Sequence, residues 1–313
     1  MADIVISEHM ELSAVESLAR DFDVLFDPDL VNQPEALRAA LKDARALLVR
    51  NITQVRGDLL QAAVNLRVVG RLGVGLDNID LEACAARNIQ VFPATGANTD
   101  SVAELVIGAL FVLFRRAYHA SDKVLSGAWP RLTLGGREIQ GHHLGLVGFG
   151  AIARAVALRA KPLGMTLSAY DPLVPADDPA WKELSVTPSS FEDLLTDSDA
   201  ISLHVPLIDE TRHMIDAAAI AKMKPDAILI NAARGGVVVE QALADALRDE
   251  RLGGAFLDVF EQEPVKAGSV LEGVPNLILA PHIGAMTDES NVRVSFLTAD
   301  NVRKALAGSV KKV

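Results

Sequence analysis

Short apolar runs rich in Val, Ile and Leu alternate along the chain with longer stretches in which Ala and Leu recur at helical spacing. Continuous β-branched runs bounded by turn residues read as strands covered on both faces, and their alternation with helical patterns predicts parallel sheets wound by crossover helices. Two series separate. The first runs through DIVIS (3–7), FDVLF (22–26), ALLVR (46–50), LRVVGRLG (66–73) and IQVFPA (89–94), with helices predicted around 13–20, 34–43, 55–64 and 80–87. The second begins at HHLGLVGFG (142–150) and continues through MTLSAYD, LSVTP, AISLHVP, AILINAA, GGAFLDVF and LILAPH. A long helical pattern over 98–126 lies between them, opened by Thr99-Asp100-Ser101 with Glu104 at capping-box spacing from Ser101. A similar pattern over 287–307 follows the last strand and leaves no room for a third domain, so this helix is expected to return to the first series. The expected fold is α/β, with two doubly wound parallel-sheet domains of the Rossmann/flavodoxin kind. The first is discontinuous, 1–98 with 288–313, and the second covers 99–287.

The densest pattern is LGLVGFGAIARA over 144–155, a strand, a Gly148-Phe149-Gly150 turn and an immediate helix, with Asp171 arriving at the end of the next strand. Gly148 suits the tight turn, and Gly150 lets backbone amides approach a pyrophosphate at the positive end of a helix. Asp171 can accept from a ribose 2′-hydroxyl. Ala153 occupies the third small position of the fingerprint, which needs only tight helix–strand packing. A βα turn with no nucleotide is the plain alternative, but strand, helix and acidic strand end all stand where a dinucleotide needs them. The carboxylate of Asp171 would face the 2′-phosphate of NADP, and Pro172-Leu173 bring no cation to neutralise it, so NAD is the expected cofactor.

Composition narrows the partners. The 313 residues suit about two domains. Thirty Lys and Arg against 41 Asp and Glu give a net charge of −11, which repels nucleic acid and anionic membrane surfaces. The longest apolar run, around 105–114, is too short to span a bilayer, and the amino terminus has neither a basic region nor a cleavage-site pattern. Cys84 is the single cysteine, so no intrachain disulfide and no thiolate metal site is expected, and a cytoplasmic location is the default.

Three chemical groups sit at strand ends of the second series, where open α/β sheets place ligands. Arg234 stands in NAARGG after AILI, Glu263 in DVFEQEP after AFL, and His282 in APHIG after LIL. Singly each has a plain reading: a solvated arginine, a satisfied histidine, a carboxylate opening a turn. Together they supply what a 2-oxo acid requires, a planar cationic fork for carboxylate and carbonyl, a proton donor, and a carboxylate to orient the imidazole.

With these residues in view, the chain resembles the D-isomer-specific 2-hydroxyacid dehydrogenases. VGRLGVGLDNID, GANTDSVAELVIG, LGLVGFGAIAR, LHVPL, INAARGGVV, LDVFEQEP and APHIG match family segments in family order over essentially the whole length. The resemblance implies catalytic Arg234, Glu263 and His282, with Asp171 on the adenosine ribose and Asp258 on the nicotinamide carboxamide. It implies cofactor contacts from Gly148, Gly150, Ala151, Ile152, His204, Val205, Ala232, His282 and Gly284. Backbone amides at Val74 and Gly75 are implied for the substrate carboxylate, with Asn98 and Arg234 beside it. Formate dehydrogenases carry an amide beside the histidine, so Glu263 points to a hydroxy/oxo acid couple. Ala153 in place of the usual third glycine is a minor departure. The family is commonly dimeric, and the segment 117–136 with Trp129 is the expected interface of a homodimer.

Two further arginines, Arg50 after ALLV and Arg71 after LRVVG, end strands of the first series, where phosphoglycerate dehydrogenases carry arginines facing the phosphate. Either they face the substrate, which would then carry a second anion on C3, or they are solvated and pair with surface carboxylates. The expected activity is therefore an NAD-dependent 2-hydroxyacid dehydrogenase of the 3-phosphoglycerate or 3-sulfolactate type. A glyoxylate/hydroxypyruvate or D-lactate type reductase is the alternative within the family, and an NAD-responsive corepressor is the alternative of another class. The sequence shows no regulatory extension after Val313, which favours a short form over a long phosphoglycerate dehydrogenase.

Overall fold

A computed structural model describes residues 2–116, 120–132 and 134–308. The chain divides into two compact units, residues 1–98 with 285–313, and residues 99–284.

In the first unit β1 (Ile4–Ile6), α1 (Leu12–Ala19), β2 (Val24–Phe26), α2 (Pro34–Leu41), β3 (Ala46–Val49), α3 (Gly57–Ala62), β4 (Val68–Arg71), α4 (Leu81–Ala86) and β5 (Gln90–Pro93) alternate. The parallel sheet has the order β2-β1-β3-β4-β5, the flavodoxin-like order, and its strand order reverses between β1 and β3. Ile4, Val5, Ile6 and the whole of β3 are buried because helices cover both faces, which is why these strands read as unbroken apolar runs.

The second unit opens with α5 (Thr99–Arg115) and α6 (Ala120–Leu125). There follow β6 (His143–Val147), α7 (Ala151–Ala160), β7 (Thr166–Tyr170), α8 (Pro179–Leu184), β8 (Thr187–Pro188), α9 (Phe191–Asp197), β9 (Ala200–Leu203), α10 (Ala217–Lys222), β10 (Ile228–Asn231), α11 (Glu240–Arg248), β11 (Gly254–Leu257) and β12 (Leu277–Leu279). The seven-stranded order is β12-β11-β10-β9-β6-β7-β8. Counted from β6, this is the dinucleotide-binding order 3-2-1-4-5-6 with a seventh strand added, and its switch point lies between β6 and β9. Two parallel sheets with interleaved helices are the architecture expected from the sequence.

One helical expectation changes in detail. The 98–126 pattern covers two helices, and α5 begins at Thr99, so Ser101 lies inside its first turn and does not cap it. Its hydroxyl donates instead to the carbonyl of Gly284 at 2.7 Å, and Glu104 pairs with Arg159. Residues 117–119 and 133 of the expected interface segment lie outside the described residues. Leu125, Trp129 and Leu132 of the same segment are exposed. Among the described residues no helix is long and apolar enough to cross a membrane.

The last helix, α12 (Asp288–Leu306), is capped by Thr287, whose hydroxyl accepts from the amide of Ser290, and it belongs to the first unit. Its close seat on β4 depends on Gly70. A side chain there would stand 2.8 Å from the Thr298 methyl and 2.9 Å from a Val302 methyl. Gly70→Val is expected to push α12 from the sheet and destabilise the protein by about 1–3 kcal/mol, read as a lower denaturant midpoint. An unchanged midpoint would show that the helix seat is not tightly packed.

Candidate active site

The second sheet carries its polar groups past the carboxyl ends of its strands. Gly148 leaves β6 at φ +90°, and a Cβ there would meet the carbonyl oxygen of His204, which follows β9, at 2.6 Å. The turn and the His204 strand end thus meet at the switch point, and only glycine allows it. Gly150 caps α7 with extended backbone, and a Cβ on it would find nothing within 4 Å, so the space over the helix amino terminus is open. Ala151 and Ile152 begin that helix, and Ala153 is fully buried at the tight helix–sheet contact.

Asp171 ends the next strand, its carboxylate accepting from the amide of Phe149 at 2.8 Å and from that of Leu173 at 2.9 Å. The Phe149 ring stacks on Trp181 with centroids 4.2 Å apart, and Arg154 lies over the ring while donating to the Phe149 carbonyl. His204 and Val205 are half-buried. Burial pushes the His204 imidazole down to about 3, and its Nε2 is closed off without a hydrogen-bond partner among the described residues. Ala232 follows β10 and is half-buried.

Arg234, Glu263 and His282 come together beyond β10, β11 and β12. Glu263 Oε2 and His282 Nδ1 are 2.8 Å apart, with both side chains about one-third exposed. Burial alone would raise the Glu263 carboxyl. The hydrogen bond and charge of His282, the Phe260 amide and the charge of Arg234 outweigh it and hold Glu263 below the ordinary glutamate value. Arg234 donates to the Ala233 carbonyl at 2.6 Å. His282 sits at φ +55°, a left-handed conformation that a non-glycine residue adopts only when its surroundings enforce it.

Asp258 anchors the two residues that follow His282. Buried to 1% exposure, it accepts from the amides of Ile283 at 2.8 Å and Gly284 at 2.7 Å. Burial raises its carboxyl, and these two amides and the charge of His282 only partly offset the rise. Its oxygens therefore hold the loop that carries the histidine, with a lone pair on each left for another donor.

A pair of acidic residues that the sequence reading passed over joins two of these loops. Glu240 accepts from the amide of Glu261 at 2.7 Å, and Glu261 from the amide of Glu240 at 3.0 Å. The same seam passes Gly235, where a Cβ would lie 1.7 Å from the Phe260 carbonyl oxygen. The doubled glycine after Arg234 was the signal for this close approach, whereas the reciprocal glutamates had none.

In the first unit Arg50 and Arg71 stand at adjacent strand ends, since Val49 pairs with Arg71. Arg50 donates to Asn291 at 3.1 Å, and burial lowers its guanidinium while nearby Glu8 opposes the shift. It is therefore not a solvated surface group. Arg71 donates to the Leu72 carbonyl at 2.8 Å and folds over Gly73, so its guanidinium lies against the loop that continues into half-buried Val74 and Gly75. Asn98, at the end of this unit's first segment, is buried, and its Oδ1 has no partner among the described residues.

A family model described as the D-isomer specific 2-hydroxyacid dehydrogenase, NAD binding domain, matches residues 107–284. The chain is 55% identical over 306 residues to the (S)-sulfolactate dehydrogenase of Chromohalobacter salexigens, covering 98% of this chain and 99% of that protein. It is 37% identical over 310 residues to the D-3-phosphoglycerate dehydrogenase of Methanocaldococcus jannaschii, covering 99% of this chain but 58% of that protein. The crystal structure of D-lactate dehydrogenase from Aquifex aeolicus complexed with NAD and lactic acid superposes with a TM-score of 0.86 at 29% identity, covering 98% of this chain and 96% of that one.

The seam at Gly235 gives a direct test of the site's construction. Gly235→Ala forces the Arg234 loop and the 258–261 loop apart, and is expected to cost about 1–3 kcal/mol of stability with a loss of activity. Retention of both the native denaturant midpoint and native turnover would refute the close packing.

Proposed function

The chain belongs to the D-isomer-specific 2-hydroxyacid dehydrogenases, and we propose that it interconverts a 2-hydroxy acid and a 2-oxo acid bearing a second anion on C3, with 3-sulfolactate and 3-sulfopyruvate as its pair. The observation that carries this reading is the placement of two guanidinium groups, Arg50 and Arg71, at neighbouring strand ends, one of them lying on the loop expected to take the substrate carboxylate. Burial lowers the Arg50 guanidinium, and a partly desolvated cation at a strand end favours an anionic ligand. The name of the 55% identical relative supports the same chemistry. Its (S) label agrees with a D-specific family, because a CH2–S substituent outranks a carboxylate and inverts the label relative to D-lactate.

NAD is the cofactor of the family, and the second unit fits it. Gly148 makes the tight turn, Gly150 leaves open space over the first amides of α7, and the carboxylate of Asp171 stands fixed at the end of β7. Ala151, Ile152, His204, Val205, Ala232 and Gly284 would line the remainder, with Asp258 offering its spare lone pairs to the carboxamide. Bound NAD supplies the hydride acceptor for oxidation and, reduced, the donor for the reverse.

The chain's own residues handle binding and the proton. Arg234 forks onto the carboxylate and the C2 oxygen of the substrate, while amides at Val74 and Gly75, with Asn98 beside them, hold the carboxylate. Glu263 occupies Nδ1 of His282, so Nε2 takes the hydroxyl proton in oxidation and returns it to the C2 oxygen in reduction. Because Glu263 is held ionised, it fixes the ring and balances the imidazolium charge.

We further infer a homodimer formed through the exposed apolar side chains of Leu125, Trp129 and Leu132, and a role without polyanionic partners, in keeping with the net charge of −11.

Specificity constants measured with NADH should rank 3-sulfopyruvate above pyruvate and glyoxylate, and the reverse ranking would overturn the assignment. In the same assay His282→Ala should lower turnover by about 10²–10⁴-fold while NADH still binds. Near-native turnover in that variant would move the proton transfer elsewhere. Asp171→Ala should weaken NADH and narrow its advantage over NADPH, and equal use of both cofactors by the native protein would contradict the role of Asp171.

A further inference from the structure

The first sheet has a switch point of its own. Glu8 lies just past the end of β1 and Arg50 just past the end of β3, the two strands between which the strand order reverses. Open α/β sheets bind ligands in the crevice outside such strand ends. Here a buried polar network replaces the usual open loop.

Glu8 is 4% exposed, and its carboxylate is spent on backbone. Oε1 accepts from the amides of Arg50 at 2.9 Å and Thr53 at 3.0 Å, and Oε2 from that of Ile52 at 3.2 Å. Asn78 donates to the carbonyls of Arg50 at 3.1 Å and Thr53 at 2.7 Å, and the Ser7 and Thr53 hydroxyls are 3.0 Å apart. The backbone of Arg50 is thus tied through both its amide and its carbonyl, which leaves the side chain as the part that can respond to a ligand.

That side chain is held by a neutral group. Its Nη2 donates to Oδ1 of Asn291, in the first turns of α12; the charge of Glu8 acts on the guanidinium from nearby, but the Glu8 oxygens are taken by backbone amides, and among the described residues no carboxylate forms a direct ion pair with Arg50. An amide oxygen fixes the fork in place while cancelling none of its charge, and most of the five N–H donors remain for another acceptor. A carboxylate at the same position would fill the same contact but would act as a built-in anion competing with any anion of a ligand.

Resting on the reading that the substrate carries a C3 anion, we propose that Asn291 is a specificity-determining residue: it positions Arg50 without adding a further negative charge at the fork, and so sets the preference for a dianionic substrate over a monoanionic one. The role is one of charge conservation, carried out from a helix that reaches the site only at the end of the chain.

The test compares specificity constants for 3-sulfopyruvate and pyruvate, with NADH, in the native protein, Asn291→Ala and Asn291→Asp. Asn291→Asp is isosteric, and an acidic residue near the amino terminus of α12 suits the helix dipole. The sulfopyruvate-to-pyruvate ratio should fall by about tenfold or more in Asn291→Asp, mainly through KM for sulfopyruvate, because the added carboxylate repels the C3 anion at close range. Asn291→Ala, which removes the hold and adds no charge, should give a ratio between the two. A native ratio at or below one overturns the C3-anion reading and this inference with it. A native ratio well above one that Asn291→Asp leaves intact overturns this inference alone, and so does an Asn291→Ala ratio lower than that of Asn291→Asp. If Asn291→Asp does not fold, the Asn291→Ala ratio decides: a fall supports the hold, and a native value overturns it.

Discussion

A carboxylate at a strand end accepting the amides of a neighbouring loop is the interaction on which the arrangement of both units rests. Strands covered by helices on both faces can present chemistry only where they stop, and the loops beyond them carry backbone donors that need acceptors. Asp171 takes the amides of Phe149 and Leu173, Asp258 those of Ile283 and Gly284, and Glu8 those of Arg50, Ile52 and Thr53. In each case the acid follows one strand end and fixes the loop beside it, so the loop is set by a group that is itself anchored in the sheet. Charge-assisted bonds of this kind are stronger than neutral ones, which suits loops that must hold a fixed shape.

Two of the acids in the second unit are driven in opposite directions. Asp258, buried and accepting from amides, has its carboxyl raised, whereas Glu263 has its carboxyl lowered by His282 and Arg234 despite burial. Asp258 anchors the amides of Ile283 and Gly284 just after His282, and Glu263 faces the ring.

The strands and their two series were legible because parallel sheets write themselves as apolar runs, and the glycine, arginine and histidine at strand ends were the residues that pointed to dinucleotide and oxo-acid chemistry; the structure brings Arg234, Glu263 and His282 together. What escaped was contact made across loops. Nothing in the spacing of Glu240 and Glu261 announces that each accepts the other's amide, and Ser101 matched a capping pattern yet turned to Gly284 because tertiary contact offered a better acceptor. Glu8 was within reach, since it follows IVIS as Arg50 follows ALLV, but an acid at a strand end draws less notice than an arginine. Asn291 had no local signal, because its partner lies 241 positions away.

The interrupted first unit has a consequence for how the protein is made. The face of β4 at Gly70 is covered by α12, which is synthesised only after residues 99–284. At roughly 5–20 residues per second, the apolar surface awaiting that helix stays open for on the order of ten to forty seconds. Nascent molecules therefore pass through a stage in which the first sheet is present but one of its faces is not yet covered. It is during this stage that the growing chain is most exposed to chaperones, proteases and its own neighbours on a polysome.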